Sequence, residues 1–141
     1  MQGMYGTYQH SLDAKGRIFI PARLRDELGK EFIVTLSPER CLTAYSNAAW
    51  DRILENINSM SRFKQKQARP LFANAVRCEP DSQGRILLPQ SLRDEVGLVK
   101  NVTVVGVGDT AQLWDAETYT VIEEQEKAPE NINRMYEELD I

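Results

Sequence analysis

The chain has 141 residues and a formal net charge of −4, with no apolar run near the roughly 20 residues that span a bilayer. No basic stretch followed by an apolar core opens it, so the expectation is a soluble, non-secreted, cytoplasmic protein. The average charge hides an asymmetry: residues 109–141 hold ten Asp or Glu against two basic residues, whereas residues 1–108 hold fifteen Lys or Arg against eleven acids, so a basic body carries an acidic tail.

Tyr5 to Leu12 favours strand through Tyr5, Thr7 and Tyr8, and it runs into Asp13-Ala14-Lys15-Gly16 before a second strand at residues 17–20. The expectation is a β-hairpin, because Asp bonds backbone amides two residues on and Gly at the fourth turn position takes the positive φ that closes it. Pro21 suits the first position of a short helix and Gly29 the position just past its end, with Leu24 and Leu28 facing inward and Arg25 on flanking surface. Residues 32–36 and 42–45 read as strands. Ser46 or Asn47 can cap a helix whose Trp50, Ile53, Leu54 and Ile57 recur at helical spacing. Residues 61–75 carry Arg62, Lys64, Lys66 and Arg69 and read as a helix broken at Pro70.

The same series then returns. Residues 13–29, DAKGRIFIPARLRDELG, recur at 81–97 as DSQGRILLPQSLRDEVG, with ten of seventeen positions identical at an offset of 68. Asp81-Ser82-Gln83-Gly84 repeats the turn before Arg85, Pro89 and Gly97 bracket a second short helix with Leu92 and Val96 inward and Arg93 on its flank, and residues 102–107 and 111–114 read as strands before a helix near Asp115. Tyr45, Trp50 and Ile53 match Trp114, Tyr119 and Ile122 at an offset of 69, so one residue is inserted between two copies of a β-β-α-β-β unit. A unit that small buries little surface alone, so the two are expected to form one pseudo-twofold α+β body whose strand edges invite further subunits. Pro129-Glu130 opens a last acidic helix with Ile132, Met135, Tyr136 and Leu139 on one face, expected to pack on its own body or on a neighbour. The organisation is a first repeat plus helix over 4–60, a basic connector over 61–75, a second repeat plus helix over 76–126 and an acidic helix over 127–141.

Catalysis finds little to work with. His10 is the sole histidine, no nucleophile elbow or His-Glu-x-x-His motif occurs, and Gly106-Val107-Gly108-Asp109 lacks the continuation of a phosphate loop and reads as a strand end and turn. Cys41 and Cys78 lack metal-ligand spacing and read as reduced, partly buried thiols, so neither metal nor cofactor is expected. Asp13 with Arg17, and Asp81 with Arg85, carry two readings. In one the Asp shapes the turn and the Arg pairs with it or with a carboxylate across the pseudo-twofold. In the other Lys15 and Arg17 sit on a hairpin tip and reach phosphates or guanine edges. The copies differ where exposed, Lys15 and Arg23 becoming Gln83 and Ser91, which favours the first copy as a DNA face while the second completes the fold. The alternative from another class is a protein-interaction module, built on the acidic tail and the Trp50 helix, without sequence-specific DNA binding.

The segments Leu12 to Pro21 and Asp81 to Pro89 resemble the bacterial MraZ family, and the likeness extends over nearly the whole chain through Gly6, Cys41-Leu42, Leu71-Phe72-Ala73-Asn74-Ala75, Val105-Gly106 and Leu113-Trp114-Asp115. One motif alone would indicate only the wider superfamily of AbrB-like swapped-hairpin transcription factors. The resemblance implies an α+β fold of two tandem AbrB-like repeats in one pseudo-twofold, β-barrel-like body with added helices. It also implies a non-enzymatic, nucleoid-associated regulator that assembles as a ring homo-oligomer. Such a ring binds double-stranded DNA at direct repeats in the promoter of the division and cell wall gene cluster, upstream of its own gene. The family's Asp-x-x-x-Arg motif falls on Asp13 with Arg17 and on Asp81 with Arg85, around the structural Gly16 and Gly84. Its DNA-facing basic positions fall on Lys15 and Arg17, with Arg23, Arg25 and Arg85 as further candidates, and Gln83 stands where a basic residue is expected. Met1-Gln2-Gly3 precede Met4, where such chains usually start.

Overall fold

The computed structural model describes residues 2–141; Met1, on which the choice of initiating methionine turns, lies outside them. Among the described residues the first copy runs β1 (Thr7–Ser11), β2 (Arg17–Phe19), α1 (Ala22–Leu28), β3 (Phe32–Leu36), β4 (Leu42–Ser46) and α2 (Asn47–Asn58). Helices α3 (Arg62–Gln67) and α4 (Arg69–Ala73) connect it to β5 (Val76–Cys78), β6 (Arg85–Leu87), α5 (Gln90–Glu95), β7 (Asn101–Val107), β8 (Thr110–Asp115) and α6 (Ala116–Glu126), and α7 (Pro129–Leu139) follows.

Local chemistry sets most of these boundaries. Pro21, with φ −54 and ψ 144, stands before the first turn of α1 rather than inside it. The Ser46 hydroxyl caps α2 by accepting from the Ala49 N–H at 3.2 Å, and the Asp115 carboxylate caps α6 by accepting from the Thr118 N–H at 3.1 Å. The connector breaks at Ala68 rather than at Pro70. Ala68 closes α3 and precedes α4, and Pro70 lies in the first turn of α4, where its missing N–H leaves no intrahelical bond unmade.

The strands form a six-stranded antiparallel sheet in the order β1-β7-β8-β4-β3-β5 and a separate two-stranded ribbon, β2-β6. Each copy gives its opening strand to the other: β1 pairs with β7, with Tyr8 opposite Val104, and β5 pairs with β3, with Val76 opposite Val34. The ribbon is shared too, and Ile18 lies opposite Ile86, its own counterpart in the repeat, so the pseudo-twofold axis passes there. Central pairing of β4 with β8 sets Thr43 opposite Gln112, again counterparts.

The expected hairpins therefore form as turns only. Asp13 N–H donates to the Arg17 carbonyl and Gly16 N–H to the Asp13 carbonyl, both at 3.0 Å, after which β1 and β2 part to pair with the other copy. Exchange lets Ile18 and Ile86, 0% and 1% exposed, face one shared core, which a hairpin closed within one copy would not provide. No closed barrel forms among the described residues: the larger sheet is open, with β1 and β5 as its edges.

One apolar core takes residues from both copies, including Ile18, Ile20, Leu24, Leu28, Phe32 and Leu42 from the first and Ile86, Leu88, Leu92 and Leu113 from the second. Trp50 packs α2 against Tyr45 and Phe72, each ring centroid 5.7 Å away, while Trp114 meets Tyr119 of α6 at the same distance. Near the start of the chain, Gly106 meets the backbone of Met4 and Tyr5, so no side chain fits there, and its N–H donates to the Gly6 carbonyl at 2.9 Å. Cys41 and Cys78 are free and buried, and desolvation pushes each thiol up to about 11.

Candidate nucleic-acid interface

The alternation of β2 and β6 sorts their side chains. With Ile18 and Ile86 turned into the core, Arg17, Phe19, Arg85 and Leu87 stand on the outer face of the ribbon, Arg17 opposite Leu87 and Phe19 opposite Arg85. Two arginines thus lie diagonally across a face three residues long.

Each arginine is held by the turn that precedes it. Oδ1 of Asp13 accepts the N–H groups of Lys15 and Arg17, both at 2.9 Å, and its Oδ2 accepts from Arg17 Nε at 2.6 Å. Asp81 repeats the pattern on Gln83 N–H at 2.9 Å, Arg85 N–H at 3.0 Å and Arg85 Nε at 3.1 Å. A further contact crosses the pseudo-twofold, Arg85 Nη1 lying 3.7 Å from Asp13 Oδ2. The Arg17 backbone N–H, followed by its guanidinium and the Lys15 N–H, holds the Asp13 carboxyl at about 2, below the usual 3.8. The Arg85 backbone N–H and then that of Gln83 lower Asp81 in the same direction.

The first reading of the motif is met: each Asp shapes its turn and holds its Arg, and Arg85 also faces Asp13 across the pseudo-twofold. Arg17 spends its backbone N–H and Nε on Asp13, and among the described residues its two Nη groups have no protein partner. A planar fork fixed at Nε with its outer edge unspent is suited to a bidentate acceptor such as guanine O6 and N7 or a phosphate.

The glycines explain why the turn spacing recurs in both copies. Gly16 and Gly84 have φ of +83 and +81, and the guanidinium of the other copy's helix lies on each. A Cβ on Gly16 would meet Arg93 Cζ at 2.8 Å, and one on Gly84 would meet Arg25 Cζ and the Phe19 ring at 2.9 Å. Arg25 Nε donates to the Ile20 carbonyl at 2.8 Å, its guanidinium carbon lying 5.6 Å from the Phe19 centroid, and Arg93 Nε donates to the Leu88 carbonyl at 3.0 Å. Arg25 and Arg93 were expected on flanking surface; they instead clamp the opposite turn. The backbone completes the clamp, Leu88 N–H donating to Gly16 O at 3.0 Å and Ile20 N–H to Gly84 O at 2.9 Å.

The ribbon thus gathers Lys15, Arg17, Arg25 and Arg85 around the two turns. Lys15 is exposed and, among the described residues, its amine has no partner. Arg23 goes elsewhere, lining a cleft with Gln2, Tyr8 and Glu27. Leu87, 61% exposed, and the clamping role of Arg93 escaped the sequence reading. The signal was present in the repeat: an antiparallel pairing of Ile18 with Ile86 by itself fixes Leu87 opposite Arg17.

No helix among the described residues is long and apolar enough to cross a membrane, and no group of three or more His, Cys, Asp or Glu gathers there to hold a metal. Comparison with known proteins gives two consecutive matches, over residues 4–70 and 71–137, to the family described as "MraZ protein, putative antitoxin-like". Among curated relatives, the protein named transcriptional regulator MraZ of Carboxydothermus hydrogenoformans is 45% identical over 81% of this chain and 82% of its own. Its namesakes in Acetivibrio thermocellus and Heliobacterium modesticaldum are 44% and 39% identical, over 79% and 85% of this chain and 80% and 86% of theirs. A solution structure from Pyrococcus horikoshii covers 77% of this chain and 94% of its own at 17% identity, with a TM-score of 0.34. With a family match to each of the two strand-exchanged copies and close relatives along most of its length, the chain belongs to the MraZ family.

Proposed function

We propose that this protein is a sequence-specific, DNA-binding transcriptional regulator that reads duplex DNA with the β2-β6 ribbon. The single observation that carries the reading is the outer face of that ribbon, where Arg17 and Arg85 are each fixed at Nε by an aspartate of their own turn. A major groove admits a two-stranded ribbon, and each bidentate arginine-guanine pair there gives about 1–3 kcal/mol of discrimination against the wrong base. Lys15 at the turn, and Arg25 behind it, add phosphate attraction, and the name borne by the relatives agrees with this reading. Arg23, which lines another cleft, has the weaker support of the candidate positions.

The assembly is a ring homo-oligomer that binds direct repeats in the promoter of the division and cell wall gene cluster, upstream of its own gene, in a cytoplasmic, nucleoid-associated setting. Two unlike helical faces support a head-to-tail contact. Helix α7 leaves Ile132, Met135, Tyr136 and Leu139 between 37% and 61% exposed in an acidic setting. On the connector, Phe63 is 71% exposed beside Arg62, Lys64, Lys66 and Arg69, and Met60 just before it is 36% exposed. A contact between non-equivalent faces closes into a ring when its rotation divides a full turn, and a ring engages adjacent boxes with avidity beyond one weak module.

A gel shift tests this reading with DNA from upstream of the protein's own gene, a scrambled control and two salt concentrations. A salt-sensitive shift on the native DNA alone is the expected result. Equal binding to both DNAs, or none, contradicts it and favours the protein-interaction module.

A further inference from the structure

We infer that Leu87 is a specificity-determining residue, a contact for the C5-methyl group of a thymine beside the guanine that Arg17 holds; the inference rests on the ribbon being the DNA-reading face. The two copies differ at this position in a way the fold makes visible. Phe19, the counterpart of Leu87, is covered: the His10 ring lies edge-on to it at 4.8 Å, and the Arg25 guanidinium carbon sits 5.6 Å from its centroid. In the second copy the counterpart of His10 is Cys78, a buried residue of β5 that pairs with Phe32 and carries no ring to lay over Leu87. Leu87 is consequently left 61% exposed at the end of β6, on a face it shares with Arg17, Arg85 and the covered Phe19.

A single exposed leucine on an ordinary surface needs no explanation. This one occupies a three-residue strand directly opposite Arg17, where cross-strand Cβ atoms stand about 4.5–5.5 Å apart. Successive base pairs are about 3.4 Å apart along the duplex, so with the two strands succeeding one another along the groove, an arginine on one guanine sets the opposed leucine over the neighbouring base pair. The apolar feature that a major-groove edge offers there is the thymine methyl, which the other three bases lack. An isobutyl group cannot hydrogen-bond, so it adds little on cytosine or adenine and leaves polar edges unpaired.

The test uses the full chain and the DNA upstream of its own gene, amplified with thymidine or with deoxyuridine throughout, which removes every methyl and keeps the pairing edges. Affinities are measured for wild type, Leu87→Ala and the conservative Leu87→Met, with scrambled DNA as the reference. Burial of one methyl predicts about fourfold weaker wild-type binding to the uracil DNA for each ribbon engaged, while Leu87→Ala binds both DNAs alike and Leu87→Met keeps the preference. Leu87 is exposed and outside the core, so neither substitution disturbs the fold. If wild type prefers native to scrambled DNA but Leu87→Ala keeps the same methyl preference, or wild type shows none, the leucine contact is overturned and the ribbon reading stands. If wild type shows no preference for native DNA at all, the ribbon reading itself fails and takes this inference with it.

Discussion

At the scale of single residues, the aspartates and glycines of the two turns decide the geometry of the ribbon. Asp13 is held at about 2 by the Arg17 N–H, the Arg17 guanidinium and the Lys15 N–H, and Asp81 is lowered by the equivalent partners. A carboxyl depressed on folding contributes stability that is complete above its unfolded value and is lost as pH falls through its folded value. The melting temperature should therefore fall as pH drops from about 4 toward 2, and Asp13→Asn should flatten that slope while lowering the melting temperature at neutral pH. An unchanged slope in the variant would show that Asp13 does not anchor the turn. Gly84→Ala should cost about 1–2 kcal/mol for its left-handed backbone alone. Its cost should exceed that of Gly16→Ala, because a Cβ on Gly84 would meet the Phe19 ring as well as a guanidinium, whereas one on Gly16 would meet the Arg93 guanidinium alone. Denaturant melts of the two variants check the order.

At the scale of elements, legibility followed the range of the interactions. Short helices, caps and turns were readable because their signals are local: Ser46 and Asp115 cap where they stand in the sequence, and Asp13 with Gly16 closes a turn from within four residues. Strand partners were not readable in the same way, since β2 is compatible in pattern with β1 and with β6, and the choice is made by which pairing buries both Ile18 and Ile86. The break at Ala68 was missed for a related reason: Pro70 fits the start of a helix as well as its end, and the surrounding contacts choose. The exposed position of Leu87 needed the strand exchange, and the role of Arg25 needed the position of the opposite turn. If the shared ribbon is central to the core, Ile18→Ala should destabilise the protein by about 2–5 kcal/mol, as should Ile86→Ala, both measured by denaturant unfolding; a loss near zero at either would contradict the pairing.

At the scale of the whole molecule, strand exchange makes the two copies one folding unit. Strands β1 and β2 of the first copy find their partners in the second, so a polypeptide of residues 1–75 should lack a cooperative melt as a monomer, and mixing it with residues 76–141 should restore one. Circular dichroism of the separate and mixed halves reads this directly; a cooperative melt of the lone monomeric half would contradict it. The same exchange sets Arg17 and Arg85 from different copies on one small face, with a basic body behind them and an acidic tail away in sequence. What that placement does is read from the ratio of affinities for native and scrambled upstream DNA in wild type and Arg17→Ala, with the melting temperature of both recorded in the same buffer. The ratio should collapse toward one in Arg17→Ala while the melting temperature falls only slightly, because the Arg17–Asp13 pair is partly exposed. An unchanged ratio would remove Arg17 from the DNA-reading face, and a large drop in melting temperature with loss of assembly would make it a structural residue.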